Sequence, residues 1–280
     1  MSIKLIAMDI DGTLLDSRAQ LPDENLRAVV DAAAAGIEIV VVTGRRFEFA
    51  RTVIDALPCD LHLIVSNGAL IKSKSGETHQ RLLLSAETAR QLIEATSEYR
   101  PEATVFFDRP HGKQLILERV DWDDPLRGGY FRRNREYIAE VKPLAACFDG
   151  EDPIQVMFVG TCQRIRAAKK AVEALPIADR YTVALTEYEP RDLSMLDVLR
   201  RGVTKGAALA EWARRRGIAR EHVMAIGDNW NDREMLAFAG LPVVMGNAVS
   251  ELKSKGWQVT LSNDECGLAK AIRKHALGNH

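Results

Sequence analysis

The sequence predicts an α/β protein in which a doubly wound parallel sheet is interrupted by an inserted α+β domain. Three observations carry this expectation. Five short runs rich in Ile and Val stand at residues 3–8, 37–42, 61–65, 222–226 and 241–245. They mostly lack alternation, as strands buried on both faces of a parallel sheet do. Helical patterns lie between them and stop at glycine: residues 23–35 before Gly36, 205–216 before Gly217 and 233–239 before Gly240. Glycine closes a helix because it adopts the left-handed conformation at little cost. Strand, helix and strand with short links make βαβ units. From about residue 81 to residue 190 the chain changes character, with alternating strand candidates at 114–120 and 155–160 and helical patterns at 87–99 and 164–175. Aromatic residues and prolines also concentrate there. We expect a first domain built from residues 1–82 and 191–280, with residues 83–190 inserted into it.

Composition narrows the functional classes. A chain of 280 residues is longer than most single cores, which agrees with two domains. Hydrophobic residues make up 46% and charged residues 28%, an ordinary globular balance. The formal net charge of −1 gives no broad pull towards nucleic acid or an anionic membrane. Cys59, Cys147, Cys162 and Cys266 form no CxxC pair and no Cys/His cluster, so neither a zinc site nor a disulfide framework is expected. The opening MSIKLIAMDIDG turns acidic too soon for a secretory signal, and no apolar run reaches the ~20 residues of a spanning helix. A cytoplasmic protein is expected.

The chemistry concentrates where strands end. Asp9-Ile10-Asp11-Gly12-Thr13 follows the first run, Thr43-Gly44-Arg45 the second, Ser66-Asn67-Gly68 the third and Gly227-Asp228-Asn229-Trp230-Asn231-Asp232 the fourth. Open α/β sheets bind ligands beyond the C-terminal ends of their strands. Acidic side chains at the end of a buried strand are unfavourable unless something compensates them. Competing motifs drop out. A calcium loop starting at Asp228 would need Gly where Arg233 stands and Glu where Ala239 stands. Gly202-Val203-Thr204-Lys205-Gly206 is not a P-loop, no GxGxxG follows a strand, and no HExxH is present.

Taken together, DIDGTL from Asp9, VTGR from Val42, SNGA from Ser66, GVTKGAAL from Gly202, GDNWNDREML from Gly227 and AGLPVVMGNA from Ala239 resemble the haloacid-dehalogenase-like phosphatase superfamily. Within it the chain looks like the Cof-type branch, with a Rossmann-like core and a large α/β cap. The residues before the lysine motif depart from that branch at Asp197 and near Arg200.

The resemblance implies a division of labour. Asp9 is the nucleophile, which splits one hard hydrolysis into two easier steps through a mixed anhydride. Asp11 is general acid, then general base; dehalogenating relatives lack this second aspartate. Clustered anions need a cation, and Mg²⁺ is implied, with Asp9, the Asp11 backbone carbonyl and Asp228 as ligands. Asp232 orients waters or Lys205 from behind the ligands. Thr43, Gly44, Lys205 and Asn231 bind phosphate oxygens, and Lys205 also neutralises Asp9. The implied substrate is a small phosphomonoester, a sugar phosphate or related metabolite. A phosphomutase-type transferase and a non-catalytic sugar-phosphate binder are the alternatives. Between Arg127 and Arg135 four arginines stand without an acid, and Arg132 and Arg133 are expected to recognise a second anionic group on the substrate.

Overall fold

Strand β1 (Leu5–Met8) carries apolar side chains on both faces, and all four are buried in the computed structural model, which describes residues 2–109 and 111–278. Burying a Leu, Ile or Met side chain contributes roughly 1.5–3 kcal/mol, so such a strand belongs mid-sheet. Helix α1 (Asp23–Ala34) leads to β2 (Glu38–Val42), and α2 (Phe47–Ile54) leads to β3 (His62–Val65). Both pairings are parallel, β1 with β2 and β2 with β3.

An antiparallel hairpin, β4 (Leu70–Ser73) and β5 (Thr78–Arg81), then extends the sheet. The sequence reading contains no strand there. Thr78-His79-Gln80-Arg81 has neither apolar alternation nor burial, because an outermost strand can be held by backbone hydrogen bonds alone.

The insertion follows. Helix α3 (Ala86–Ala95) stops short of the expected residue 99, where Pro101 and a 3₁₀ turn over Ser97–Glu102 take over. Next come β6 (Ala103–Phe106), β7 (Leu115–Leu117), α4 (Gly128–Arg133), β8 (Ile138–Glu140), β9 (Gln155–Gly160), α5 (Cys162–Glu173), β10 (Tyr181–Tyr188) and β11 (Leu193–Arg200). They form a six-stranded sheet in the order β10-β11-β9-β6-β7-β8. Ile93, Val105, Phe148, Phe158, Ile165 and Leu196 are among the residues of its core.

The expected return to the first domain at residue 190 is corrected by β11. This strand is antiparallel to both β9 and β10, so its hydrogen bonds tie it to the inserted sheet. The two compact units therefore divide at Arg81/Leu82 and again at Gly202/Val203. Asp197 sits in β11, buried, and accepts a hydrogen bond from Gln155 Nε2 at 2.6 Å.

The first unit is completed by α6 (Lys205–Arg215), β12 (Val223–Gly227), α7 (Arg233–Phe238), β13 (Leu241–Val244), α8 (Ser250–Lys253), β14 (Gln258–Val259) and α9 (Gly267–His275). Its eight-stranded sheet runs β14-β13-β12-β1-β2-β3-β4-β5. Strand β1 lies between β12 and β2, where the strand order turns back, which is the switch point at which such sheets place a crevice. Among the described residues no helix is long and apolar enough to cross a membrane.

Candidate active site

Asp9 follows β1 directly. Its N–H still donates to Ile226 O at 3.1 Å, so the backbone remains in the ladder while the side chain stands at the sheet's C-terminal edge. Lys205 opens α6, behind the N-cap Thr204, whose hydroxyl accepts from Ala207 N at 3.0 Å. A cation at a helix N-terminus is unfavourable by itself. Here two carboxylates reverse that: Lys205 Nζ donates to Asp9 Oδ1 at 2.7 Å and to Asp232 Oδ1 at 2.6 Å. The lysine is 1% exposed. Asp232 Oδ2 in turn accepts the N–H groups of Asp228 and Asn229, both at 3.0 Å, and so shapes the loop after β12. Asp228 Oδ1 accepts from Thr13 Oγ1 at 2.9 Å.

Carboxylate oxygens of Asp9, Asp228 and Asp232 lie within 4.8 Å of one another, and all three residues are buried. Three carboxylates facing one ammonium leave the cluster short of positive charge. Like charges at ~4 Å repel by about 4 kcal/mol at an effective dielectric of 20. Burial pushes the Asp9 carboxyl up to about 7; Lys205 opposes this, while Asp232 and Asp11 add to it. Burial likewise pushes Asp228 well above the carboxylate range, reinforced by Asp232 and Asp9. Burial alone would lower the Lys205 pKa, but Asp232 and Asp9 outweigh it and hold the ammonium charged. Such an all-oxygen set suits a hard divalent cation. Asp232 already engages both oxygens, whereas Asp9 and Asp228 each engage one, so the latter two are the fitting ligands.

Gly12 lets the chain pass close to this cluster. Its φ is +80°, and a Cβ there would lie 2.3 Å from Asp228 Oδ2.

Asp11 is engaged separately, by Arg45. Arg45 grips its carboxylate with two hydrogen bonds, Nε to Oδ2 at 2.7 Å and Nη2 to Oδ1 at 2.6 Å. The arginine also stacks on Phe49, 4.6 Å from the ring centroid. Thr43 is buried at the end of β2, where its hydroxyl accepts from Arg45 N at 3.1 Å. Asn231 Nδ2 donates to Asn67 Oδ1 at 3.0 Å, linking the loop after β12 to the turn after β3.

Residues 6–272 match the family model of haloacid dehalogenase-like hydrolases. The chain belongs to that family. It is similar to phosphatase YwpJ of Bacillus subtilis, 30% identical over 98% of this chain and 100% of that one. It is also 30% identical to the 5-amino-6-(5-phospho-D-ribitylamino)uracil phosphatase YcsE of Bacillus subtilis, over 99% of this chain and 97% of the relative. A solved haloacid dehalogenase-like hydrolase from Bacillus subtilis superposes with a TM-score of 0.81 at 26% identity, covering 98% and 99% of the two chains. This family member is an enzyme, a phosphatase of the Cof type.

The first unit brings Asp9, Lys205, Asp228 and Asp232 into one hydrogen-bonded group with Thr13. Asp11 is held by Arg45, and Asn231 by Asn67. Arg132 and Arg133 lie on α4 of the inserted unit, and both are exposed. Arg132 donates to Trp122 O and lies 3.9 Å from Asp123. Arg127 pairs with Asp124 at 2.8 Å. The segment that holds no acid is thus served by acids just upstream. Sequence reasoning gave no role to Thr13, Arg45 or Asn67. Each lies inside one of the strand-end motifs, so adjacency to Asp11, Thr43 and Gly68 is the available signal.

Proposed function

We propose that this phosphatase hydrolyses small phosphomonoesters, sugar phosphates or related metabolites, with Mg²⁺ and through a phosphoryl group carried on Asp9. The observation that carries the reading is the buried Asp9–Lys205–Asp232 chain beside Asp228, an anionic site with too little positive charge of its own. The Asp9 and Asp228 side chains and the Asp11 backbone carbonyl would hold the metal. When bound, Mg²⁺ neutralises the cluster and the phosphate oxygens.

The chain's own residues do the rest. An Asp9 oxygen bonds to phosphorus as the bond to the leaving oxygen breaks, and Asp11 gives that oxygen its proton. Asp11 then takes a proton from water, whose oxygen attacks phosphorus and frees Asp9. Arg45 keeps the Asp11 carboxylate oriented between these steps. The Thr43 hydroxyl, the Gly44 N–H and the Asn231 amide hold phosphate oxygens, and Lys205 offsets charge on Asp9 and on the group in transfer. Arg132 and Arg133 select substrates that carry a second anion. The substrate named for YcsE, a ribityl phosphate, belongs to the small phosphomonoesters. The site of action is the cytoplasm.

The test is phosphate release from a panel of phosphorylated metabolites and one aryl phosphate. Chelation should remove activity towards all of them and Mg²⁺ should restore it. Full activity in excess chelator contradicts the metal requirement, and release from none of the sugar phosphates contradicts the substrate class.

A further inference from the structure

The turn after β3 is built in an unusual way. Ser66 and Asn67 both have left-handed backbones, with φ of 50° and 53°, and neither is glycine. Side chains with a Cβ adopt this region reluctantly, although asparagine does so more readily than most. Strained backbone of this kind persists where surrounding structure fixes it, and it clusters at functional sites. Both residues are 1% exposed.

The surroundings that fix the turn belong to the candidate site. Ser66 N–H donates to Arg45 O at 2.9 Å, and Asn67 N–H donates to Thr43 O at 3.0 Å. Two consecutive backbone groups of the turn therefore clamp the Thr43-Gly44-Arg45 loop from below. The Asn67 side chain then reaches in two directions. Its Oδ1 accepts from Asn231 Nδ2 at 3.0 Å. Its amide also packs against Gly44 so closely that a Cβ on Gly44 would stand 3.2 Å from Oδ1 and 3.3 Å from Nδ2.

We propose that Asn67 is a positioning residue: its amide fixes the Asn231 side chain against the Thr43-Gly44 loop, so that donors from two separate strand ends act as one phosphate cradle. The left-handed backbone is what brings that amide between the two loops. An amide free to rotate would sample poses that miss the phosphate, and holding it in place removes that loss of rotamer freedom on binding. The inference rests on the reading of Thr43, Gly44 and Asn231 as phosphate ligands.

The experiment compares the wild type with Asn67→Gly, Asn231→Ala and the double variant in the Mg²⁺-loaded enzyme. Glycine accepts φ near 53° without strain, so Asn67→Gly deletes the amide and spares the turn; thermal unfolding confirms that each variant is folded. Dissociation constants for inorganic phosphate are measured alongside kcat and KM for an aryl phosphate. An internal hydrogen bond of this kind corresponds to a change of roughly 3- to 10-fold. We expect Asn67→Gly and Asn231→Ala each to weaken phosphate binding and raise KM by about that factor, and the double variant to be no worse than Asn231→Ala alone. Weakening in Asn231→Ala with wild-type binding in Asn67→Gly overturns the positioning role while sparing the phosphate reading. Factors that multiply in the double variant overturn it too, because the two side chains then act independently. Wild-type binding in Asn231→Ala removes Asn231 from the phosphate site, and the inference falls with that reading. Variants with a lower Tm but unchanged KM and phosphate affinity would reduce Asn67 to a purely structural part.

Discussion

At the ends of β1 and β12 charge is buried: Asp9 and Asp228 are 5% exposed, Lys205 1% and Asp232 0%. At Arg132, Arg133 and Arg135 charge stays at the surface, with the Arg132 side chain 61% exposed beside a fully exposed Asp123. The sequence marks both stretches as dense in charge. The difference lies in what each group can afford to lose. A buried ion must find a counter-ion or neutralise, so Lys205 bridges two carboxylates and the Asp9 carboxyl rises to about 7. A surface arginine keeps its water and takes whatever carbonyl or acid is near, as Arg132 does with Trp122 O. Charge that a fold goes to the trouble of burying is therefore the better guide to chemistry.

Replacing Lys205 by Met should have the largest effect, since it leaves three buried carboxylates facing one another. Breaking a buried pair is destabilising by about 3–5 kcal/mol, read by urea unfolding at pH 8 in chelator. Turnover should vanish as well. A loss under ~1 kcal/mol would mean that the lysine is not what holds the cluster together.

Gly12→Ala comes next. The new Cβ meets Asp228 Oδ2 at 2.3 Å and must adopt φ near +80°. Stability should fall by about 1–3 kcal/mol, and Mg²⁺ affinity, read by calorimetry, should drop with it. Unchanged metal affinity would detach Asp228 from the ion.

Acidity should act on the same cluster with a definite sign. In the metal-free fold the Asp9 pKa is about 7 against an ordinary 3.8, so the folded state binds more protons than the unfolded chain between those values. Asp9 thus contributes less stability as pH rises towards 7, where its buried charge forms, and Mg²⁺ offsets that charge. The Mg²⁺-induced rise in Tm should be larger at pH 8 than at pH 5.5, and on acidification below about 7 the affinity should fall roughly tenfold per pH unit for each proton displaced. A Tm increment independent of pH would contradict carboxylate ligation.

The smallest effect belongs to the surface arginines. Replacing Arg132 and Arg133 by Ala should leave stability within about 0.5 kcal/mol. For esters with a second anion, kcat/KM should fall by roughly 2- to 5-fold, as exposed charges allow, while aryl phosphates are unaffected. Equal changes in both substrate classes would return the pair to an ordinary solvated surface.

The parallel core was legible because strands buried on both faces leave short apolar runs without alternation, as β2 and β12 do. The hairpin β4–β5 was not, since Thr78–Arg81 pairs through its backbone and its side chains carry no pattern. Nor was the end of the insertion. Leu193–Arg200 is apolar enough for either sheet, and only its ladder to β9 decides which. In the candidate site, strand ends pointed to Asp9 and Asp228, while Lys205, which opens a helix, entered only through the family resemblance. The partnership of Arg45 with Asp11 spans 34 residues and that of Asn231 with Asn67 spans 164, and no local pattern encodes such pairs.

The central claim is that Asp9 carries the phosphoryl group, and it can be read directly. Asp11→Asn, which retains the nucleophile but lacks the base for the second step, is mixed with an activated aryl phosphate and Mg²⁺ and quenched in acid within the first turnover. Peptide mapping by mass spectrometry should then find one phosphoryl group on the peptide that begins the chain, located at Asp9, and the Asp9→Asn, Asp11→Asn double variant should show none. A labelled peptide elsewhere, or rapid turnover in Asp9→Asn with no labelled peptide at all, would contradict the account.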